Sequence, residues 1–132
     1  MIVDTSAVIA ILLDEPPRAS LLETIQHATT AAISTATLLE VSIVLQRKRT
    51  GISDETLDTF LSSLGIDVAP VTAEQARIAR IAYREFGKGS EHPAQLNFGD
   101  CFTYALARDR AEPLLFTGMD FSHTDLEPAI PN

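Results

Sequence analysis

The sequence predicts an α/β fold built on a mainly parallel sheet. Two observations carry this. Short apolar runs compatible with strands, at Met1–Asp4, Ala31–Ile33, Ile66–Val71 and Leu114–Phe116, are separated by segments that read as helices. Several of those helical segments also open on a capping residue. The chain has 132 residues, 45% of them apolar and 21% charged, which is enough to bury a core. It contains no repeat, low-complexity tract or dividing linker, so residues 1–132 are expected to form one domain.

Met1–Asp4 is an apolar run that ends on an acid, as a buried strand does at its end. Thr5–Leu13 reads as a helix, and Pro16-Pro17 breaks it from a second helix, Arg18–His27, with Leu21, Leu22 and Ile25 on one face. Ala31–Ile33 is β-compatible. Ser34 or Thr35 caps the next helix, which is expected to run to about Thr50 and stop at Gly51. Ser53 opens a helix whose first turn holds Asp54 and Glu55, where the helix dipole favours acids. Ile66–Val71 alternates as a strand, and Thr72-Ala73-Glu74-Gln75 has the form of a capping box for a helix over Thr72–Phe86. Gly87–Pro93 is a loop, and a helix follows from Phe98 or Gly99 to Arg110. Leu114–Phe116 is a buried strand, with Glu127–Ile130 expected as a last edge strand.

Three acids occupy positions where an open parallel sheet keeps its chemistry. Asp4 ends the first strand, Asp120 follows the strand Leu114–Phe116 after Gly118, and Asp100 lies in the first turn of a helix. Each has a plain alternative: Asp4 as a helix cap, Asp100 as a first-turn acid, Asp120 as a turn residue. Glu40 is different. It lies within a helix and shares a face with Ile43 and Val44, so its carboxylate is expected to point toward apolar surroundings, with a buried salt bridge as the alternative. Carboxylates crowded together repel one another, and hard divalent cations relieve the repulsion. Two such ions suit phosphodiester cleavage.

At these residues the chain resembles a family. Asp4-Thr5-Ser6-Ala7, Glu40, Asn97-Phe98-Gly99-Asp100-Cys101 and Gly118-Met119-Asp120-Phe121, in this order over the whole chain, resemble the PIN domain and, more narrowly, VapC-type toxins of bacterial toxin–antitoxin pairs. The resemblance implies a three-layer α/β/α domain, Mg²⁺ or Mn²⁺ as cofactor, RNA as substrate and a VapB-like antitoxin that occludes the site. It also implies a homodimer. Asp4 and Asp100 would be the principal metal ligands, with Glu40 and Asp120 completing the site or positioning water. Relatives often carry another acid just before the last aspartate; here that residue is Met119.

Ser6 and Thr117 lie beside two of the acids and suit either a hydrogen bond to ligand carboxylate or phosphate, or a capping role. The net charge of −8 argues against a nucleic-acid partner only weakly, because four acids in one site supply half of it and cations would neutralise them. The bases are clustered: Arg47-Lys48-Arg49 at a helix end, and Arg77, Arg80 and Arg84 as a stripe that reads first as a solvated face, with RNA contact as the alternative. Phe98, Phe102 and Tyr104 read as packing residues, with base stacking on an exposed ring as the alternative. His27, His92 and His123 lack metal-ligand spacing, and Cys101 reads as a small buried residue.

A phosphatase of the haloacid-dehalogenase type also opens with an aspartate after the first strand, but its second aspartate two positions on is here Ser6. A phosphoacceptor domain would place its aspartate later than Asp4. A catalytically inactive PIN-like binding module is the remaining alternative. No apolar run approaches bilayer length, Met1-Ile2-Val3-Asp4 lacks a basic leader, and the lone Cys101 fits a reducing compartment. The expectation is a cytoplasmic protein without membrane contact.

Overall fold

A computed structural model describes residues 1–131. Its strands are β1 (Ile2–Val3), β2 (Ala31–Ser34), β3 (Ile66–Ala69) and β4 (Leu114–Leu115). They form a sheet in the order β3-β2-β1-β4, with every pair parallel and Ile2 in register with both Ala32 and Leu114. The helices are α1 (Thr5–Leu12), α2 (Arg18–His27), α3 (Thr35–Arg47), α4 (Asp54–Ser63), α5 (Ala73–Phe86) and α6 (Phe98–Arg110).

Alternating strand residues divide the core in two. Val3, Ile33 and Leu115 pack with Val8 and Ile11 of α1, Leu21 of α2, Val41 and Leu45 of α3, and Leu57 of α4. Ile2, Ala32 and Leu114 face the opposite way, onto Ala82 and Phe86 of α5 and Tyr104 and Leu106 of α6. The period of two along each strand thus produces the expected three layers, α1–α4 below, sheet between, α5–α6 above. Among the described residues no helix is long and apolar enough to cross a membrane.

Several boundaries differ from expectation, each for a local reason. Helix α3 stops about a turn before Gly51, because Arg49 itself takes the left-handed conformation (φ 53°) while the Thr50 N–H bonds back to the Leu45 carbonyl. Strand β3 ends at Ala69, since Pro70 has no N–H to continue the ladder. The edge strand expected over Glu127–Ile130 reduces to a single bridge between Leu114 and Pro128, closed by the Leu114 N–H donating to the Glu127 carbonyl and the Ala129 N–H donating to the Leu114 carbonyl. The box at Thr72 is half formed: its hydroxyl oxygen accepts from the Gln75 N–H at 3.1 Å, but the Gln75 side chain donates to Asp109 instead.

Candidate active site

Following the chain, the strands step outward from β1 to β2 to β3, then β4 returns to the other side of β1. The order reverses between β1 and β4, so a crevice opens outside their carboxyl ends. Asp4 sits there, 4% exposed, directly after β1. Its Oδ2 accepts from the Ser6 N–H at 3.0 Å and the Ser6 hydroxyl at 2.7 Å, which makes Asp4 the N-cap of α1 as well. The Ser6 oxygen in turn accepts from the Thr117 N–H at 3.0 Å, tying the end of β1 to the end of β4. The Thr117 hydroxyl itself takes no partner among the described residues.

Asp4 Oδ1 accepts from the Thr103 hydroxyl of α6 at 2.9 Å. Thr103 and Thr37 of α3 stand 3.0 Å apart, and because the Thr103 proton is committed to Asp4, Thr37 must donate. Helices from both layers therefore meet over one carboxylate. Thr103 and Thr37 are members of the site that were not expected from the sequence. The signal was available for Thr103, which lies three residues after Asp100 and so on the same helical face.

Asp100 is the third residue of α6 and 8% exposed. It forms a complete capping box with Asn97: its backbone N–H donates to Asn97 Oδ1 at 2.9 Å, and its Oδ2 accepts from the Asn97 N–H at 3.0 Å. Its other oxygen accepts from no group among the described residues. Glu40 corrects an expectation. The buried side of α3 is Thr37, Val41 and Leu45, and Ile43 is 39% exposed, so Glu40 stands half-buried at the rim rather than aimed into the core. Among the described residues no arginine meets it; Thr5 donates its hydroxyl to Glu40 Oε1. The first turn of α6 closes on it from the other side, where a Cβ on Gly99 would lie 1.9 Å from Glu40 Oε2. Only glycine leaves room there for the carboxylate. Asp120 is exposed after the turn at Gly118, which has φ 81°.

The electrostatics join these acids. Burial pushes the Asp100 carboxyl up to about 7, against the opposing Asn97 N–H, and the negative charges of Asp4, Asp120 and Glu40 add to the rise. Burial also raises Asp4 above its ordinary value, despite the bonds from Ser6 and Thr103. Among the described residues no three acids, histidines or cysteines are close enough to hold one ion together, so the set is coupled through space rather than already gathered. The donors are nonetheless all carboxylate oxygen, the chemistry that hard divalent cations select. A positive ion would also relieve the repulsion that Asp100 registers.

The other candidates do not join the set. Burial, then the Asp100 charge, pushes the Cys101 thiol up to about 11, which removes it as a nucleophile. His92 packs edge-on against Phe86, and its Nδ1 accepts from the Ala94 N–H.

A sequence model of the family described as PIN domain matches residues 1–127. Ribonuclease VapC28 of Mycobacterium tuberculosis is 50% identical over 130 residues, covering 98% of each chain. Ribonuclease VapC42 of the same species is 44% identical over 129 residues, again covering 98% of each. Among solved structures, the chain is similar to M. tuberculosis VapC20, described as a sarcin-ricin loop cleaving toxin, with a TM-score of 0.73 at 18% identity over 98% of each chain. A toxin–antitoxin complex from Klebsiella pneumoniae matches with a TM-score of 0.70 at 17% identity, covering 99% of this chain and 95% of that one.

Proposed function

Because the chain belongs to the PIN-domain family, we propose that it is a metal-dependent endoribonuclease that acts as the toxin of a toxin–antitoxin pair. The observation that carries this reading is the set of acids at the sheet's switch point, with Asp4 and Asp100 buried and the Asp100 carboxyl raised first by that burial and then by the charges of Asp4, Asp120 and Glu40. Ribonucleases of up to 50% identity along nearly the whole length support RNA as the substrate.

In this reading Asp4 and Asp100 hold Mg²⁺, with Mn²⁺ as the substitute, and Glu40 and Asp120 complete the ligand set or orient water. The bound cation supplies positive charge against the scissile phosphate and makes a nearby water more acidic. Ser6 and Thr103 fix the Asp4 carboxylate in position. The Thr117 hydroxyl is left to meet a substrate phosphate. Gly99 keeps the Glu40 carboxylate in the site. Gly99→Ala is therefore expected to lower cleavage about 10- to 100-fold. Its thermal midpoint should hold or rise, since alanine favours the helix and only the end of a flexible side chain is displaced. An active Gly99→Ala enzyme would remove Glu40 from the scheme.

A crevice of carboxylates attracts a basic side chain, so a VapB-like antitoxin carrying one would compete for the same oxygens. The exposed Leu39 and Ile43 on α3 give apolar surface for association, and we take the free protein to be a homodimer acting in the cytoplasm. The test is purified protein on total RNA with Mg²⁺ or with chelator, with the cut ends mapped. Cleavage only with the cation supports the enzyme; no cleavage under either condition leaves an inactive binding module. Expression alone should arrest growth, co-expression with the adjacent antitoxin gene should relieve it, and light scattering reads the dimer.

A further inference from the structure

We propose that the groove between α5 and α6 is a subsite for an unpaired RNA base next to the scissile phosphate, an inference that rests on the ribonuclease reading above. The groove encloses about 540 Å³ and is lined by Tyr83, Phe98 and Phe102, with Arg80 and Arg84 along it and no acid. Phe98 is 78% exposed, an unusual cost for a phenylalanine on the first turn of a helix. It pairs with Phe102 in a T-shaped arrangement with ring centroids 5.0 Å apart, and most of its surface remains open to solvent.

Charge selects the occupant. Arg77 is paired with Glu74 at 2.6 Å, whereas Arg80 and Arg84 take no carboxylate partner among the described residues. In a chain of net charge −8, an acid-free lining with two unpaired arginines matches a polyanion. A two-fold contact with a second copy through this face would set the same arginines against themselves. Position agrees with charge. Phe98 and Asp100 are two residues apart in the first turn of α6 and leave it on different faces, so a nucleotide crossing the N-terminus of α6 would set its base on the ring and its phosphate toward the carboxylates. Aromatic faces with flanking arginines are how single-stranded RNA is held without a sequence code.

The test measures binding of a fluorescent single-stranded RNA to full-length Asp100→Asn protein, and cleavage kinetics in the otherwise unaltered enzyme. Phe98→Ala should weaken binding on the order of ten-fold, and Phe98→Tyr should restore it. In the active enzyme the loss should appear in KM with kcat held. Arg80→Gln and Arg84→Gln should each reduce the slope of log affinity against log salt by about 0.7. An RNA with an abasic nucleotide beside the cut should bind more weakly, and Phe98→Ala should then add nothing. If Phe98→Ala binds intact RNA like its parent, or changes only the molecular mass by light scattering, the subsite is overturned and the face belongs to a second copy. If the unaltered enzyme cuts no RNA, the ribonuclease reading falls first.

Discussion

Asp4→Asn and Asp100→Asn are each expected to lower RNA cleavage by about 10³-fold or more while the fold persists. Removing one ligand charge forfeits several kcal/mol of transition-state stabilisation, and each 1.4 kcal/mol is a factor of about ten. Folding survives because both sites accept an amide. At position 100 the asparagine oxygen takes over the bond from the Asn97 N–H, and its NH₂ replaces the oxygen that has no protein donor. At position 4 the amide oxygen must face the Ser6 N–H, which turns the NH₂ toward Thr103. Thr103 then accepts instead of donating and passes its proton to Thr37, so the pair reverses its direction without moving. Cleavage assays beside thermal unfolding check both halves. Either variant cutting RNA at the unaltered rate would remove that aspartate from the metal site.

The positions of Asp4 and Asp100 were legible because local rules place them: one ends a strand, the other fills a helix's first turn. What the sequence hid was tertiary distance. Glu40 shares a helical stripe with Ile43 and Val44, and apolar neighbours suggested a buried face. In the fold that stripe is the rim of α3, and the carboxylate is framed by Thr5 and by the bare backbone at Gly99. A glycine in a helix's first turn gives no local reason for its presence; its reason lies on α3. Thr37 and Thr103 are likewise ordinary within their own helices and acquire a role only where α3 and α6 cross above Asp4. By contrast, the overlong strand at Ile66–Val71 was correctable from the sequence, since Pro70 has no N–H to offer the ladder.

In chelator, the protein is expected to become less stable as pH rises from about 4 to about 7, and Mg²⁺ should reverse the loss at the alkaline end. Asp100 has its carboxyl raised from 3.8 to about 7 in the fold. Between those values the folded chain holds a proton that the unfolded chain has released. Unfolding therefore becomes easier with rising pH, and above about 7 the penalty is complete. Asp4, also raised by burial, acts with the same sign. A tenfold change in proton affinity corresponds to about 1.4 kcal/mol, so the swing is of the order of a few kcal/mol, or roughly 10 °C in a domain of this size. Glu74, lowered by the hydrogen bond from Arg77, has the opposite sign, but it is fully exposed on α5, where solvent screening leaves the pair little weight. Asp100→Asn should flatten the profile and raise the midpoint at pH 8, because an uncharged side chain no longer meets Asp4, Glu40 and Asp120 as a fourth negative charge. Mg²⁺ should raise the midpoint of the unaltered protein strongly at pH 8 and little at pH 5, where protons already occupy the carboxyls. Thermal scans at pH 5 and pH 8, with chelator and with Mg²⁺, give the four midpoints. Equal midpoints in chelator at the two pH values, or an Asp100→Asn profile as steep as the unaltered one, would show that the fold does not hold the Asp100 carboxyl protonated over this range, and the account of a buried, charge-strained site would fall.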